Sequence, residues 1–258
     1  MIGNGVRRSC FQVLGVRVDA VQIQDVCRIL EHWIQRRHRC RYVAVTGMHG
    51  MMEARHDPSF RAILNSADLV VPDGMPLVWL GRLRGMDLPR RVYGPELMLS
   101  VCQQTSASGS RHFLLGGAPG VSERLASALQ NKFPGLRIAG TCSPPFRPLT
   151  KEEDEELVAS INRASPDVVW VGLGTPKQER WMYQHRDHLN AAVILGVGAA
   201  FDIHSGTKKQ APSWMREGGL EWLFRLFQEP RRLWWRYLVY GPKFVLLAAL
   251  ELFGLRRF

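Results

Sequence analysis

Short apolar runs, each closed by glycine, recur along the chain. Tyr42–Thr46, Asp68–Val71, His112–Leu115, Val168–Val171 and Ala192–Leu195 show little polar alternation and are rich in branched side chains. Runs of this length read as strands buried on both faces, the habit of a parallel sheet. They are followed by Gly47 and Gly50, by Pro72-Asp73-Gly74, by Gly116-Gly117-Ala118-Pro119-Gly120, by Gly172 and Gly174, and by Gly196 and Gly198. Helical periodicity fills the intervals. Val21, Val26, Ile29, Leu30, Trp33 and Ile34 make one apolar face over Ala20–Gln35, and Leu125, Ala128, Leu129 and Phe133 make another behind a cap at Ser122. Met51, Met52 and Ala54 form a stripe that reads as core. Thr150 and Glu153 spell a capping box, with Glu152 and Asp154 favouring the helix dipole. Phe11–Val18 reads as one further strand, with Asp19 capping the next helix, and Pro134–Gly140 leads into a rigid proline connection. The expected fold is α/β, an open, mostly parallel, Rossmann-like sheet with helices on both faces and ligands at its carboxyl edge.

The stretch VVWVGLGTPKQERW condenses this pattern into strand, glycine turn and helix start. Gly172 and Gly174 let backbone N–H groups approach a ligand, Thr175 is the expected N-cap, Pro176 the first helical residue and Gln178 the capping-box partner. Gly116 and Gly117 open a second cradle of this kind, and helix N-termini in such places favour phosphate. The fingerprint of a dinucleotide fold is absent, and no acid closes a following strand to hold a ribose. Asp73 has two readings of equal weight. It is an Asx residue in a Pro-Asp-Gly turn, or an acid at a strand's carboxyl end, where such sheets gather their chemistry. Arg82, Arg84, Arg90 and Arg91 read either as solvated surface or as forks for phosphate or carboxylate. Asp202 and His204 read as hydrogen-bonded scaffold, with an acid/base pair as the alternative.

With 258 residues, 46% of them apolar and 22% charged, the chain has enough core to fold without staples. Five cysteines without a C-x-x-C point to a reducing compartment, and the polar start gives no expectation of a signal peptide. The net charge of +11 admits nucleic acid, anionic lipid or a polyanionic substrate. Composition shifts near Ala211, dividing the chain into a Rossmann-like domain, 1–211, and an appendage, 212–258. From Trp214 onward arginine alternates with tryptophan, phenylalanine and leucine, and Pro230 and Pro242 are each expected to break a helix. Phe244–Leu250 is far short of the roughly 20 residues a membrane span needs. The composition suits an interfacial helix on anionic lipid. Packing on the sheet is the plainer alternative, and a grip on single-stranded nucleic acid is the least favoured, since no nucleic-acid module is recognisable.

The blocks TGMHGMMEA, DLVVPDGMPLVWLGRLRG, RVYGPEL, FLLGGAPG, SPPFRPLTKEEDE, VGLGTPKQERW and GVGAAFDIHSGTKKQAPSWMREGGLEWLFRLFQEPRRLWWRY, in this order, resemble the WecG/TagA/CpsF glycosyltransferases. The resemblance runs from about Phe11 to about Phe244. It implies transfer of a sugar, N-acetylmannosamine or a related hexose or uronic acid, from a UDP-sugar to a polyprenyl-diphosphate-linked saccharide, with inversion. It also implies that no metal or cofactor takes part, the UDP-sugar being a substrate, and that the enzyme is peripheral on the cytoplasmic face of the membrane. The family's catalytic aspartate falls on Asp73, its threonine near Thr46 and its R-V-x-G arginine on Arg91. Gly47 departs from the pattern, since many members carry asparagine there. Lys177, Gln178 and Glu179 of the P-K-Q-E block join Gly47, Gly116, Gly117, Gly172 and Gly174 as candidate donor-binding residues. Arg225, Arg231, Arg232 and Arg236 are candidates for the leaving group and the membrane.

The chemistry agrees: inverting transfer needs a carboxylate to take the acceptor's proton and positive charge or N–H dipoles for the departing diphosphate. Expected partners are therefore donor, lipid-linked acceptor and anionic membrane, without nucleic acid; a homo-oligomer is compatible. Two other classes stay open at this level. A sugar-nucleotide epimerase or dehydrogenase would need the missing ribose-binding acid and a Tyr-x-x-x-Lys pair, and a non-catalytic basic adaptor would tolerate loss of Asp73.

Overall fold

The computed structural model describes residues 8–256 and 258. The chain opens with a hairpin, β1 (Cys10–Val13) and β2 (Val16–Asp19), where one strand was expected. The turn is Leu14-Gly15, both at positive φ (50° and 80°), the geometry of the tightest hairpin loops. Leucine rarely adopts that conformation, so the apolar run concealed the turn. Asp19 is not a helix cap. Its buried carboxylate accepts from the Val70 N–H at 2.8 Å and lies 3.7 Å from both Arg8 and Arg17. Helix α1 (Ile23–Arg36) starts instead at Gln22, boxed by Asp25.

The order then is β3 (Arg41–Thr46), α2 (Met48–His56), α3 (Pro58–Asn65), β4 (Leu69–Pro72), α4 (Met75–Leu83), α5 (Gly94–Thr105), β5 (Arg111–Gly116), α6 (Val121–Lys132), β6 (Arg137–Cys142), α7 (Lys151–Ala164), β7 (Val168–Gly172), α8 (Lys177–His185), β8 (Val193–Gly196) and α9 (Ala200–His204). Six strands form one parallel sheet in the order β4-β3-β8-β7-β5-β6. One core layer lies under the hairpin, α2, α3, α4 and α8; the other lies under α1, α5, α6 and α9. Glycine turns therefore gather at a single carboxyl edge, as the apolar runs implied. The edge strand β6 was not expected, because half-solvated residues give it no apolar run. Helix α6 is capped by Gly120 in the left-handed conformation; Ser122 lies inside it, its hydroxyl against Ser143. The capping box at Thr150 and Glu153 forms as expected.

Trp170 fills the sheet centre, and its indole N–H donates to His112 Nδ1 at 3.0 Å. His112 must then carry its proton on Nε2, 2.9 Å from the Thr105 hydroxyl, which in turn donates to the Val101 carbonyl. Burial pushes His112 down to about 4, so the chain of donors stays neutral.

The C-terminal segment comprises α10 (Ser213–Glu217), α11 (Glu221–Gln228), α12 (Pro230–Trp234), a π-turn at Trp235–Val239 and α13 (Tyr240–Leu252). Pro230 does separate two helices. Pro242 does not break one, because it sits in the first turn of α13, just after the π-turn, where its missing N–H is tolerated. Phe244, Leu247 and Ala248 enter the core beneath α2. The arginines around the α4–α5 connection divide: Arg82 and Arg90 are exposed, as the solvated-surface reading had it, whereas Arg84 and Arg91 are half-buried, and all four are engaged within the chain. Arg82 holds the carbonyls of Leu88 and Pro89, while Arg84, Arg90 and Arg91 pair with Glu251, Glu217 and Glu221 of the C-terminal segment. Arg216 returns the clamp to Glu96. No helix among the described residues is long and apolar enough to cross a membrane.

Removing the Asp19 carboxylate should leave the Val70 N–H unpaired inside the protein. We expect Asp19→Ala to cost about 1–3 kcal/mol in urea unfolding; a loss within measurement error would mean that the hairpin is not fastened to β4 by this bond.

Candidate active site

The site begins where β3 and β4 end side by side. The Asp73 N–H donates to the Thr46 carbonyl at 2.8 Å, carrying the strand pairing one step past Pro72. The approach is so close that a Cβ on Gly47 would stand 2.1 Å from the Asp73 carbonyl oxygen. Gly47 is extended, at φ −127°, so its identity is fixed by space and not by conformation. Gly74, at φ +129°, then turns the chain into α4 and leaves the Asp73 side chain half-buried over the edge. Desolvation raises the Asp73 carboxyl to about 6; Arg91 and Arg225 oppose the shift, and Glu221 and Glu96 add to it.

The Val92 N–H donates to the Pro72 carbonyl at 2.9 Å and ties the Arg91–Tyr93 segment against the same strand end. Arg91 stacks on the Tyr93 ring at 4.1 Å and donates to Glu221, whose other oxygen accepts from the Tyr93 hydroxyl at 2.8 Å. Glu221 comes from α11, so the C-terminal segment supplies part of the wall. Sequence reasoning missed it; the only hint was an acid in the first turn of a basic, aromatic helix.

At the end of β7 the structure differs from the expected capping box. Helix α8 starts at Lys177 with Pro176 as its N-cap, after a cis Thr175–Pro176 bond. Thr175 donates to Glu179 Oε1 at 2.7 Å, and the buried Gln178 accepts from the Gly174 N–H at 3.2 Å while donating to the same Glu179 oxygen at 3.1 Å. Glu179 Oε2 and Thr46 Oγ1 are both buried without a hydrogen-bond partner among the described residues. Such orphaned atoms at a strand's carboxyl end mark a place for polar ligand atoms. His49, in the first turn of α2, adds an unpartnered Nδ1; burial with Arg236 nearby pushes it down to about 3, so it is neutral.

The glycines divide. A Cβ on Gly116 would meet the Gly172 backbone at 2.6 Å, one on Gly172 the Phe201 ring at 2.5 Å, and one on Gly117 the Val121 side chain at 2.7 Å, so packing accounts for all three. Gly174, at φ +76°, faces open space. Lys177 is exposed.

Of the four C-terminal arginines, Arg231 is exposed and Arg232 is held by Glu229. Arg225 and Arg236 are half-buried over the edge with no ion pair among the described side chains. Burial opposes the Arg225 charge, but Tyr237, Glu221, Tyr93 and Asp73 outweigh it and hold its pKa above the usual value. Burial, with Arg225 and Arg232 close by, pulls Arg236 down. Asp202 pairs with Lys208 at 2.7 Å, and His204 Nε2 lies 2.8 Å from the Pro95 carbonyl; both are scaffold. A half-buried carboxylate with Arg225 beside it, and Arg236 next to Arg225 near His49 and Glu179, is equipped to take a proton and to hold an anion.

Residues 11–258 match the family described as Glycosyl transferase WecG/TagA/CpsF. The chain belongs to this glycosyltransferase family. It is 34% identical over 193 residues, 75% of this chain and 72% of the relative, to the N-acetylglucosaminyldiphosphoundecaprenol N-acetyl-beta-D-mannosaminyltransferase of Bacillus spizizenii. The proteins of the same name from Bacillus subtilis and Staphylococcus aureus strain MW2 are 33% and 30% identical, over 76% and 68% of this chain and 73% and 67% of their own lengths.

In this WecG/TagA/CpsF glycosyltransferase a side chain at position 47 has no room unless the Asp73 carbonyl moves. Gly47→Ala should therefore cut turnover at least ~10-fold by displacing Asp73, in line with the sensitivity of catalysis to an ångström of misplacement. A steady-state assay at matched folded fraction decides it; full turnover would mean that Asp73 need not be held there.

Proposed function

We propose that the protein transfers a sugar of the N-acetylmannosamine type, or a related hexose or uronic acid, from a UDP-sugar to a polyprenyl-diphosphate-linked saccharide, with inversion. The observation that carries this reading is Asp73 itself, a carboxyl raised to about 6 by desolvation and, among the described residues, without an ion pair, with Arg225 nearby. The acceptor hydroxyl attacks the anomeric carbon while Asp73 takes its proton, and the bond to UDP breaks with its electron pair leaving on the diphosphate. Arg225 and Arg236 are the charges for that diphosphate, preorganised where the negative charge grows. Thr46, His49 and Glu179 offer atoms unpartnered among the described residues to the donor's hydroxyl and amide groups, and Gly174, without a side chain, leaves the space over its turn open. The relatives' names, with an undecaprenol-linked acceptor and an N-acetylmannosaminyl donor, support the substrate classes. No metal is given a step, because the arginines account for the leaving group.

The protein works, on this reading, as a peripheral enzyme on the cytoplasmic face of the membrane in surface-polysaccharide assembly. Trp234, Trp235, Leu238, Val245, Leu246 and Phe253 are all about half exposed or more, forming the outward side of a segment whose other side is core. Rings and aliphatic chains of this kind sink into the headgroup layer, and Arg256 adds attraction to anionic lipid. Arg257, the other far-end basic residue, lies outside the described residues.

The test is turnover with a panel of UDP-sugars and lipid-linked acceptors in detergent, with EDTA present. Wild-type protein should transfer one sugar, and Asp73→Asn should lower kcat by on the order of 10²–10⁴ with folding unchanged. Activity should fall as the pH drops through about 6, because the protonated Asp73 carboxyl is no base. A rate that survives Asp73→Asn, or vanishes in EDTA and returns with magnesium, would reject this mechanism. Arg225→Gln and Arg236→Gln should each lower turnover ~10-fold or more in the same detergent assay, the usual scale for a lost charge-stabilising donor; unchanged rates would assign them to packing.

A further inference from the structure

The transfer mechanism leaves one buried acid without a task. Glu221 is 7% exposed in a segment dominated by arginine and aromatic side chains, and both its oxygens are engaged by neighbours on a single short stretch, Arg91 and Tyr93. If α11 needed only to be packed here, an apolar side chain would serve as well, since buried ion pairs seldom stabilise more than apolar groups of the same shape. The location suggests what the charge is for. Asp73 is faced by Arg91 from its own connection, by Glu96 from α5 and by Glu221 and Arg225 from α11, with the un-ionised Tyr93 hydroxyl among them. Arg91 is held at the strand end by the Val92–Pro72 hydrogen bond, within electrostatic reach of Asp73. A guanidinium free to move would close on the carboxylate, occupying the oxygen that must receive the proton and making it a weaker base. Yet Asp73 has no ion pair among the described residues, and Arg91 is bonded to Glu221 and stacked on Tyr93 instead.

We propose that Glu221 is a positioning residue, which holds the Arg91 guanidinium against Tyr93 and away from Asp73, leaving the Asp73 carboxylate unpaired to accept the acceptor's proton. The proposal rests on Asp73 being the base. Glu221 belongs to the C-terminal segment, so the base is released only when that segment is docked. Seating of α11 and readiness for proton transfer are then one event.

The test uses the full chain and the pH dependence of kcat/KM. In Glu221→Gln the negative charge beside Asp73 is lost and Arg91 is released, both of which favour the ionised carboxylate. The acid limb should move down by about one pH unit and turnover near neutral pH should fall about tenfold, the scale of one altered charge contact at a catalytic acid or base. Vesicle flotation should stay near wild type, because Phe244, Leu247 and Ala248 still seat the segment in the core. Glu221→Asp should restore part of the limb's position, and Tyr93→Phe, which keeps every charge but loosens Glu221, should shift it in the same direction by less. An acid limb that stays put in Glu221→Gln and Tyr93→Phe, or moves up, overturns the proposal whatever happens to the rate. Should Glu221→Gln unfold or release the segment, Tyr93→Phe alone decides by the same criterion. Asp73→Asn separates the two levels: if it is inactive while the limb is unmoved in the other variants, only the role of Glu221 fails, and if it is active, the base assignment fails and the role of Glu221 with it.

Discussion

The site depends on a hydrogen bond between two backbone groups. The Asp73 N–H meets the Thr46 carbonyl because Gly47 has no Cβ to hold the strand ends apart. That contact sets the distance between the carboxyl edge of β3, with its unpartnered Thr46 hydroxyl, and the carboxyl group at the end of β4. Side-chain interactions around it are adjustable; a backbone contact between neighbouring strands of a buried parallel sheet is not. The same logic holds at β7, where Gly116 and Gly172 allow strand ends and the Phe201 ring to touch. In this chain Gly47, Gly116 and Gly172 thus serve close approach, whereas Gly174, at the end of β7, opens outward.

A second constraint is charge. The chain carries a net +11, but near Asp73 the charges are arranged against one another, with Arg91 bound by Glu221 and Arg225 left over. Burial disfavours every ion in that group, so those that remain are there because neighbours hold them. The acids that hold the arginines around the α4–α5 connection come from the C-terminal segment, at Glu217, Glu221 and Glu251. The segment is therefore fastened to the catalytic body by ion pairs at its rim and by Phe244, Leu247 and Ala248 in the core. Its opposite side keeps tryptophan, leucine and phenylalanine in solvent. An element built this way has two apolar faces, and among the described residues only one of them is covered.

The sequence by itself determined the sheet. Five of its six strands are legible as apolar runs because burial on both faces leaves no other composition, and the glycine turns behind them announced the edge where ligands collect. β6 escaped because an edge strand is half wet, and the hairpin because its turn uses leucine at positive φ. Asp73 was legible as a candidate, but its two readings could not be separated in one dimension, since a turn aspartate and a desolvated base are the same letters. What only the tertiary structure decided is which charges face it. Glu221 and Arg91 are 130 residues apart, and no local propensity records that they share a buried bond. Nor could spacing tell that the four arginines of the α4–α5 region hold the chain's own carbonyls and carboxylates and not a phosphate. Periodicity is a local consequence of burial, whereas ion pairing and desolvation depend on which distant segments the fold brings together.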